Sequence, residues 1–185
     1  MPTFDGVMRY IYIVLTLLFV ALCGTNCSVI MDDMPESDYE KTTLVRVGDV
    51  APDFTVELLS GESVTLSQLQ GQTVLLVFFS STCPDCLSQL NLLGGLSDIL
   101  DSEKFSLLTI SRGEERKNVS TFVEQNSYSF AVGLDTDKSI YSLYATKYVP
   151  RCFVVDPLGR IVALSTDFDE DEFALLVEVI KNLQR

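Results

Sequence analysis

Two hydrophobic patterns run along this chain of 185 residues. From Tyr10 to Cys23 the sequence is almost unbroken apolar, preceded by one cation, Arg9. The run is shorter than the ~20 residues a membrane-spanning helix needs and has the form of a signal-peptide core. A single anchoring helix is the competing reading. From Val47 onward the apolar positions come in short bursts divided by turn residues. Phe54 to Leu59 predicts a strand ending at the turn Ser60-Gly61-Glu62, and Ser67 to Gln70 one helical turn. Thr73 to Ser80 is continuous and rich in β-formers, as a central strand covered on both faces would be.

A helical pattern follows, with Leu87, Leu90, Leu93, Leu96 and Leu100 near one face. Phe105 to Ser111 predicts a second buried strand and Glu114 to Gln125 a helix with Val119, Phe122 and Val123 inward. Phe130 to Leu134 predicts a strand, and Ser139 to Tyr144 a short helix. Cys152 to Val155 and Ile161 to Leu164 flank Asp156-Pro157-Leu158-Gly159, whose proline and glycine positions suit a type I turn and so a hairpin. Asp169 to Leu183 closes the chain as a helix with an acidic first turn and an apolar stripe of Phe173, Leu176, Val177 and Ile180. Strands alternating with helices imply an α/β fold with a partly parallel sheet and helices on both faces, to which the final hairpin adds antiparallel strands.

This divides the chain into a leader (1–27), a tether (28–46) and one domain (47–185). The tether is acidic and lacks helical periodicity, which predicts a flexible linker. Cys23 and Cys27 close the leader. Each resembles a bacterial lipoprotein cleavage site, and the large Leu22 before Cys23 favours Cys27 as the lipidated residue. Export would place the domain in an oxidising compartment, where a cysteine pair can form a disulfide.

Charge removes whole classes of function. Thirteen Lys and Arg against 26 Asp and Glu leave a net charge of −13. That disfavours nucleic acid, whose phosphates need clustered cations, and a polybasic grip on anionic lipid. The chain has no His. Ser–His and Cys–His catalysis and the usual catalytic zinc sites are therefore excluded.

The remaining candidate chemistry sits in Ser80-Ser81-Thr82-Cys83-Pro84-Asp85-Cys86. A buried strand ends at Ser80 and a helix begins near Pro84, a residue suited to the first turn because it needs no N–H partner. Cys83 then stands at the helix start, where free N–H groups and the helix dipole favour a thiolate. Cys86 lies one turn on, within disulfide reach, and would resolve a mixed disulfide formed at Cys83. The alternatives are a passive disulfide or half of a zinc site that would draw on Cys152 or carboxylates. Cys152 itself reads as a small buried hydrophobe, and otherwise as a third thiol near the pair. Tyr141, Tyr144 and Tyr148 read as packing and loop aromatics, and Phe78 and Phe79 as core.

From about Val47 to Arg185 the chain resembles the thioredoxin-fold, TlpA/ResA-like thiol–disulfide oxidoreductases, cousins of the peroxiredoxin (AhpC/TSA) group. Gly48-Asp49-Val50-Ala51-Pro52-Asp53-Phe54 is similar to the opening motif of both groups. Thr82 to Cys86 occupies the active-site position, and Tyr148 to Asp156 resembles the cis-proline loop and the strand after it. The resemblance implies a three-layer α/β/α sandwich with a mixed central sheet. It also implies a cis Val149–Pro150 bond facing the cysteines, and a Val149 backbone that contacts an extended substrate. Protein thiols and disulfides would be the substrates and a further redox protein would recycle the pair. The implied state is a monomer needing no cofactor or metal, on the periplasmic side of the cell envelope, in contact with the membrane through its N-terminus. A thiol peroxidase is the alternative enzyme, and a metal- or substrate-holding module the non-enzymatic one. Peroxiredoxins tend to place an Arg where this chain has Pro150. Family acids expected near the pair are replaced by Val77 and Gln89, which leaves Asp85, between the cysteines, as the nearest carboxylate. Its charge would oppose a thiolate at Cys83.

Overall fold

The computed structural model describes residues 37–185. Cys23, Cys27 and the leader lie outside the described residues, as does the first part of the tether. The domain is built on a seven-stranded mixed sheet of order β2-β1-β5-β4-β3-β6-β7. Its strands are β1 (Thr55–Leu58), β2 (Ser63–Thr65), β3 (Thr73–Phe79), β4 (Phe105–Arg112), β5 (Val132–Asp135), β6 (Arg151–Val155) and β7 (Ile161–Ser165). Strands β3, β4 and β5 are mutually parallel, whereas β1–β2, β1–β5, β3–β6 and β6–β7 pair antiparallel. The helices are α1 (Asp38–Lys41), α2 (Pro84–Leu93), α3 (Arg116–Asn126), α4 (Tyr141–Tyr144) and α5 (Glu170–Leu183). Among the described residues no helix is long and apolar enough to cross a membrane.

Strand β3 is buried along its whole length, as its unbroken apolar run predicts. Alternate side chains then serve two cores. Val74, Leu76 and Phe78 pack with Tyr141, Tyr144 and Phe153 on one face. Leu75, Val77 and Phe79 pack with Leu90 and Leu93 of α2, Val119 of α3, and Phe173, Leu176 and Ile180 of α5 on the other. Right-handed crossovers between the parallel strands explain why α2 and α3 share a face. The chain steps from β3 to β4 to β5 in one direction, which puts α2 and α3 on the same face. The chain then crosses to β6, antiparallel to β3, and α4 packs on the opposite face, beside the segment that carries Val45, Ala51 and Phe54. The result is a three-layer thioredoxin-like α/β/α sandwich.

Three sequence expectations change. The helix after the cysteines stops at Leu93, because Gly94 and Gly95 are poor helix formers. Leu96 and Leu100 still reach the core, Leu96 from a 3-10 turn at Leu96–Asp98. Strand β2 has no counterpart in the sequence reading; it is a three-residue edge strand with no buried side chain, so it carries little alternation. The third concerns the acidic tether expected over 28–46. Its second half is docked on the domain rather than flexible. Ser37 and Glu40 form a reciprocal capping box around α1. Thr42 and Val45 are buried, Thr43 bridges Ala145, and the Leu44 N–H donates to the Tyr144 carbonyl at 2.8 Å. Backbone bridging and a side-chain cap leave no hydrophobic period to read, which is why pattern alone misses this segment.

Candidate active site

The cysteine pair sits at the carboxyl end of β3, beyond the edge of the parallel strands, where open α/β sheets place their ligand sites. Cys83 is the N-cap of α2, with extended backbone, and Pro84 fills the first helical position. The Cys86 N–H donates to the Cys83 sulfur at 3.4 Å. The helix start thus turns one of its unpaired amide donors on the atom where negative charge would develop. Cys83 is half-buried, whereas Cys86 is wholly enclosed. Burial, then the hydrogen bond with Cys83, pushes the Cys86 thiol far above the ordinary range; Asp85 adds a smaller push the same way.

The loop opposite supplies the second wall. The Val149–Pro150 peptide is cis. It turns the Val149 carbonyl toward the pair, and the Cys83 thiol donates to it at 3.5 Å. Tyr148, one residue earlier, has a positive φ of 67°, a conformation that aromatic L-residues seldom adopt. Its carbonyl and that of Lys147 both accept from the Tyr141 hydroxyl. Tyr141 in turn packs edge-on against Phe78, with ring centroids 5.4 Å apart, and lies under the Arg112 guanidinium at 4.4 Å.

Glu114 anchors the loop before Cys83. Its carboxylate accepts from the Ser81 N–H at 2.9 Å, from the Ser81 hydroxyl at 2.5 Å and from the Ser111 hydroxyl at 2.8 Å. Ser111 is the second-last residue of β4, which pairs in parallel with β3. Glu114 therefore ties the chain entering the cysteine motif to the neighbouring strand end. Cys152 lies on β6 opposite Val77 and is fully buried, which pushes its thiol up to about 12. It packs in the same core as Cys86. Among the described residues no group of three or more His, Cys, Asp or Glu side chains could hold a metal ion.

The family model described as AhpC/TSA matches residues 47–164. The chain belongs to the AhpC/TSA family. It is similar to thiol-disulfide oxidoreductase ResA from Geobacillus thermodenitrificans, with 27% identity over 128 residues, covering 69% of this chain and 74% of that protein. Among solved structures it resembles a candidate protein disulfide isomerase from Bacteroides thetaiotaomicron, with a TM-score of 0.74 and 33% identity, over 77% of this chain and 92% of that one. It also resembles a candidate thiol:disulfide interchange protein DsbE from Chlorobium tepidum, with a TM-score of 0.69 and 25% identity, over 75% of this chain and 99% of that one.

Within this AhpC/TSA-family domain the structure brings Cys83, Cys86 and Val149–Pro150 together, and holds Asp85 exposed in the first turn of α2. Glu114 and Arg151 also shape the site and escape the sequence reading, and Tyr141, expected as a packing aromatic, packs in the core and holds the loop as well. Arg151 leaves a trace in the sequence, as a lone charge inside an apolar strand run. Glu114 leaves a weaker one, immediately after a strand parallel to the cysteine strand.

The burial difference predicts how the thiols react. Of the three described cysteines, iodoacetamide at neutral pH should modify only Cys83 in the native, reduced protein, with Cys86 and Cys152 following only on denaturation. Because burial raises the Cys86 thiol, that residue stays protonated as pH climbs through the normal thiol range. Its modification should lag behind that of a free cysteine at every pH. Mass-mapping of alkylated peptides checks both statements, and early labelling of Cys86 would contradict them.

Proposed function

We propose that the Cys83–Cys86 pair exchanges disulfides with protein thiols, with Cys83 as nucleophile and Cys86 as resolving thiol. The observation that carries this reading is the asymmetry of the pair. One sulfur is reachable at a helix N-cap with an amide donor 3.4 Å away, and the other is sealed one turn below. A relative described as a thiol-disulfide oxidoreductase and a structural neighbour described as a thiol:disulfide interchange protein support the same activity. This protein acts as a thiol–disulfide oxidoreductase.

In the reducing direction the Cys83 thiolate attacks one sulfur of a substrate disulfide. That S–S bond breaks, the distal sulfur leaves as a thiolate and takes a proton, and a mixed disulfide forms. Cys86 then attacks the Cys83 sulfur, its S–H proton passing to the second substrate sulfur as that leaves. The substrate gains two electrons and the pair loses two, so a partner must reduce Cys83–Cys86 before the next turnover. The oxidising direction runs through the same atoms in reverse. The Val149 carbonyl, already an acceptor for the Cys83 thiol, becomes free for a substrate N–H once that thiol ionises. Asp85 tunes the pair by opposing negative charge on the thiol beneath it.

The leader and tether complete the proposal. Tyr10 to Cys23 would direct export, and Cys27, or Cys23, would carry a lipid that holds the domain at the outer face of a membrane, within reach of protein substrates and a recycling partner. The apolar run and the two cysteines that close it support this.

A redox titration with thiol counting tests the central claim. Cys83 and Cys86 should titrate together as one two-electron couple, with Cys152 reduced throughout. A midpoint near about −270 mV marks a reductant and one near about −120 mV an oxidant that installs disulfides. Independent titration of the two cysteines would overturn the proposal.

A further inference from the structure

Arg151 follows Pro150 directly and is 0% exposed. A buried guanidinium without a carboxylate is costly unless every donor is satisfied. Here its partners are carbonyls and hydroxyls. Nε donates to the Lys147 carbonyl at 3.0 Å, and Nη2 to the same carbonyl at 2.8 Å, to the Thr42 hydroxyl at 2.7 Å and to the Tyr39 carbonyl at 3.3 Å. Nη1 donates to the Thr43 hydroxyl at 2.5 Å. One side chain thus joins two distant pieces of chain, the cis-proline loop and residues 39–43.

The join places Tyr39 at the site. Its ring meets that of Tyr148 with centroids 4.7 Å apart, tilted by 41°. Tyr148 is the residue before Val149, whose carbonyl touches Cys83, and its positive φ turns the backbone out of the usual region at this point. The Tyr148 hydroxyl donates to Asp38 at 2.7 Å. Burial and the carboxylates of Asp167 and Asp85, acting together with Tyr148, push the Tyr39 hydroxyl up. Tyr39 therefore stands against the cis-proline loop, next to the Asp38 carboxylate that holds the Tyr148 hydroxyl. Aromatic faces ringed by carboxylates attract a cationic side chain.

We infer that Tyr39 is a specificity-determining residue of the Cys83 site, selecting polypeptide disulfides with a Lys or Arg beside the reacting cysteine, and that Arg151 is the positioning residue that holds it there. This rests on the function proposed above and deepens it. A small disulfide reaches Cys83 without touching the Tyr39–Tyr148 wall. An extended chain crossing the Val149 carbonyl lays the side chain next to its cysteine against that wall.

The test compares three substrates on the purified protein: two peptide disulfides matched in length with Lys or Glu beside the cysteine, and bis(2-hydroxyethyl) disulfide. The wild type should favour the Lys peptide. Tyr39→Ala should lower kcat/KM for the Lys peptide by about five- to ten-fold, mainly through KM, the size expected for losing one cation–π contact. It should leave the small disulfide and the redox potential of the pair unchanged, and Tyr39→Phe should restore the preference. Arg151→Gln should erase the preference for the Lys peptide as Tyr39→Ala does and, because it also releases the Lys147 carbonyl of the cis-proline loop, should raise KM for both peptides. Thr43→Val, which removes one partner of the clamp at a lower risk to folding, should move the same way by a smaller factor. A wild type that turns over all three substrates without distinguishing Lys from Glu overturns this inference alone. So does a Tyr39→Ala variant that slows all three equally or shifts the potential. A wild type that turns over none of them overturns the function proposed above as well.

Discussion

Cys83→Ser should abolish disulfide turnover, and Cys86→Ser should stop it one step later. A serine hydroxyl at the N-cap can still accept from the residue-86 amide, because serine is itself a favoured cap. The fold and the helix start should therefore survive, and the loss isolates the sulfur. A hydroxyl cannot attack a disulfide in this way, since the thiolate is the reacting species. Turnover should fall by at least about 10³-fold, a transition-state loss of about 4 kcal/mol. Cys86→Ser leaves the reachable sulfur in place with its amide donor. It should attack once, expel one substrate thiolate and then stay bonded to the other half, because no second thiol stands beneath Cys83. Non-reducing electrophoresis and intact mass measure this directly. A covalent adduct should accumulate with Cys86→Ser and be absent with Cys83→Ser. The reverse pattern would exchange the two roles. Cys152 offers no rescue, since it is fully buried and its thiol is pushed up to about 12.

The parts of this arrangement that sequence makes legible are those built on period and spacing. Strand β3 is an uninterrupted β-rich run, the motif opens a helix after it, and proline in the first turn sets where that helix begins. The hairpin between β6 and β7 follows from its turn residues. There the Asp156 carboxylate accepts from the Leu158 and Arg160 amides, and Gly159 takes the positive φ of 81°. The resemblance to thioredoxin-fold oxidoreductases carries the cis-proline loop, which no periodicity would reveal. What remains hidden depends on contacts between residues far apart in the chain. Arg151 reaches residues 39–43 across more than a hundred positions of sequence. Glu114 reaches Ser81 across 33. Such pairs have no local signature, and their polar character makes each look like a surface residue until the fold closes around it. The docked segment 37–46 is hidden for the same reason, since its anchor is a side chain on β6.

Phe78→Ala should be among the most destabilising single substitutions in the domain, and its effect should extend to the site. Phe78 is 0% exposed on the last turn-ward stretch of β3. Its ring meets Tyr141 at 5.4 Å, Tyr144 at 5.3 Å and Phe153 at 6.1 Å between centroids. Truncation removes the buried area and leaves a cavity walled by three large rings that cannot collapse together, a change that costs about 3–5 kcal/mol. Single domains are stable by only about 5–15 kcal/mol, so the urea midpoint should drop steeply or folding should fail outright. Phe78→Leu refills most of the volume and should cost about 1 kcal/mol or a little more. The functional consequence runs through Tyr141. That ring is positioned by Phe78, and its hydroxyl holds the Lys147 and Tyr148 carbonyls of the loop that presents Val149 to Cys83. Phe79→Ala makes a comparable hole in the opposite core, beside Phe122, without touching Tyr141. Both alanine variants should lose stability, but at a temperature where each remains folded only Phe78→Ala should raise KM for a peptide disulfide. Equal KM values would mean that the loop holds its shape without support from the core beneath it.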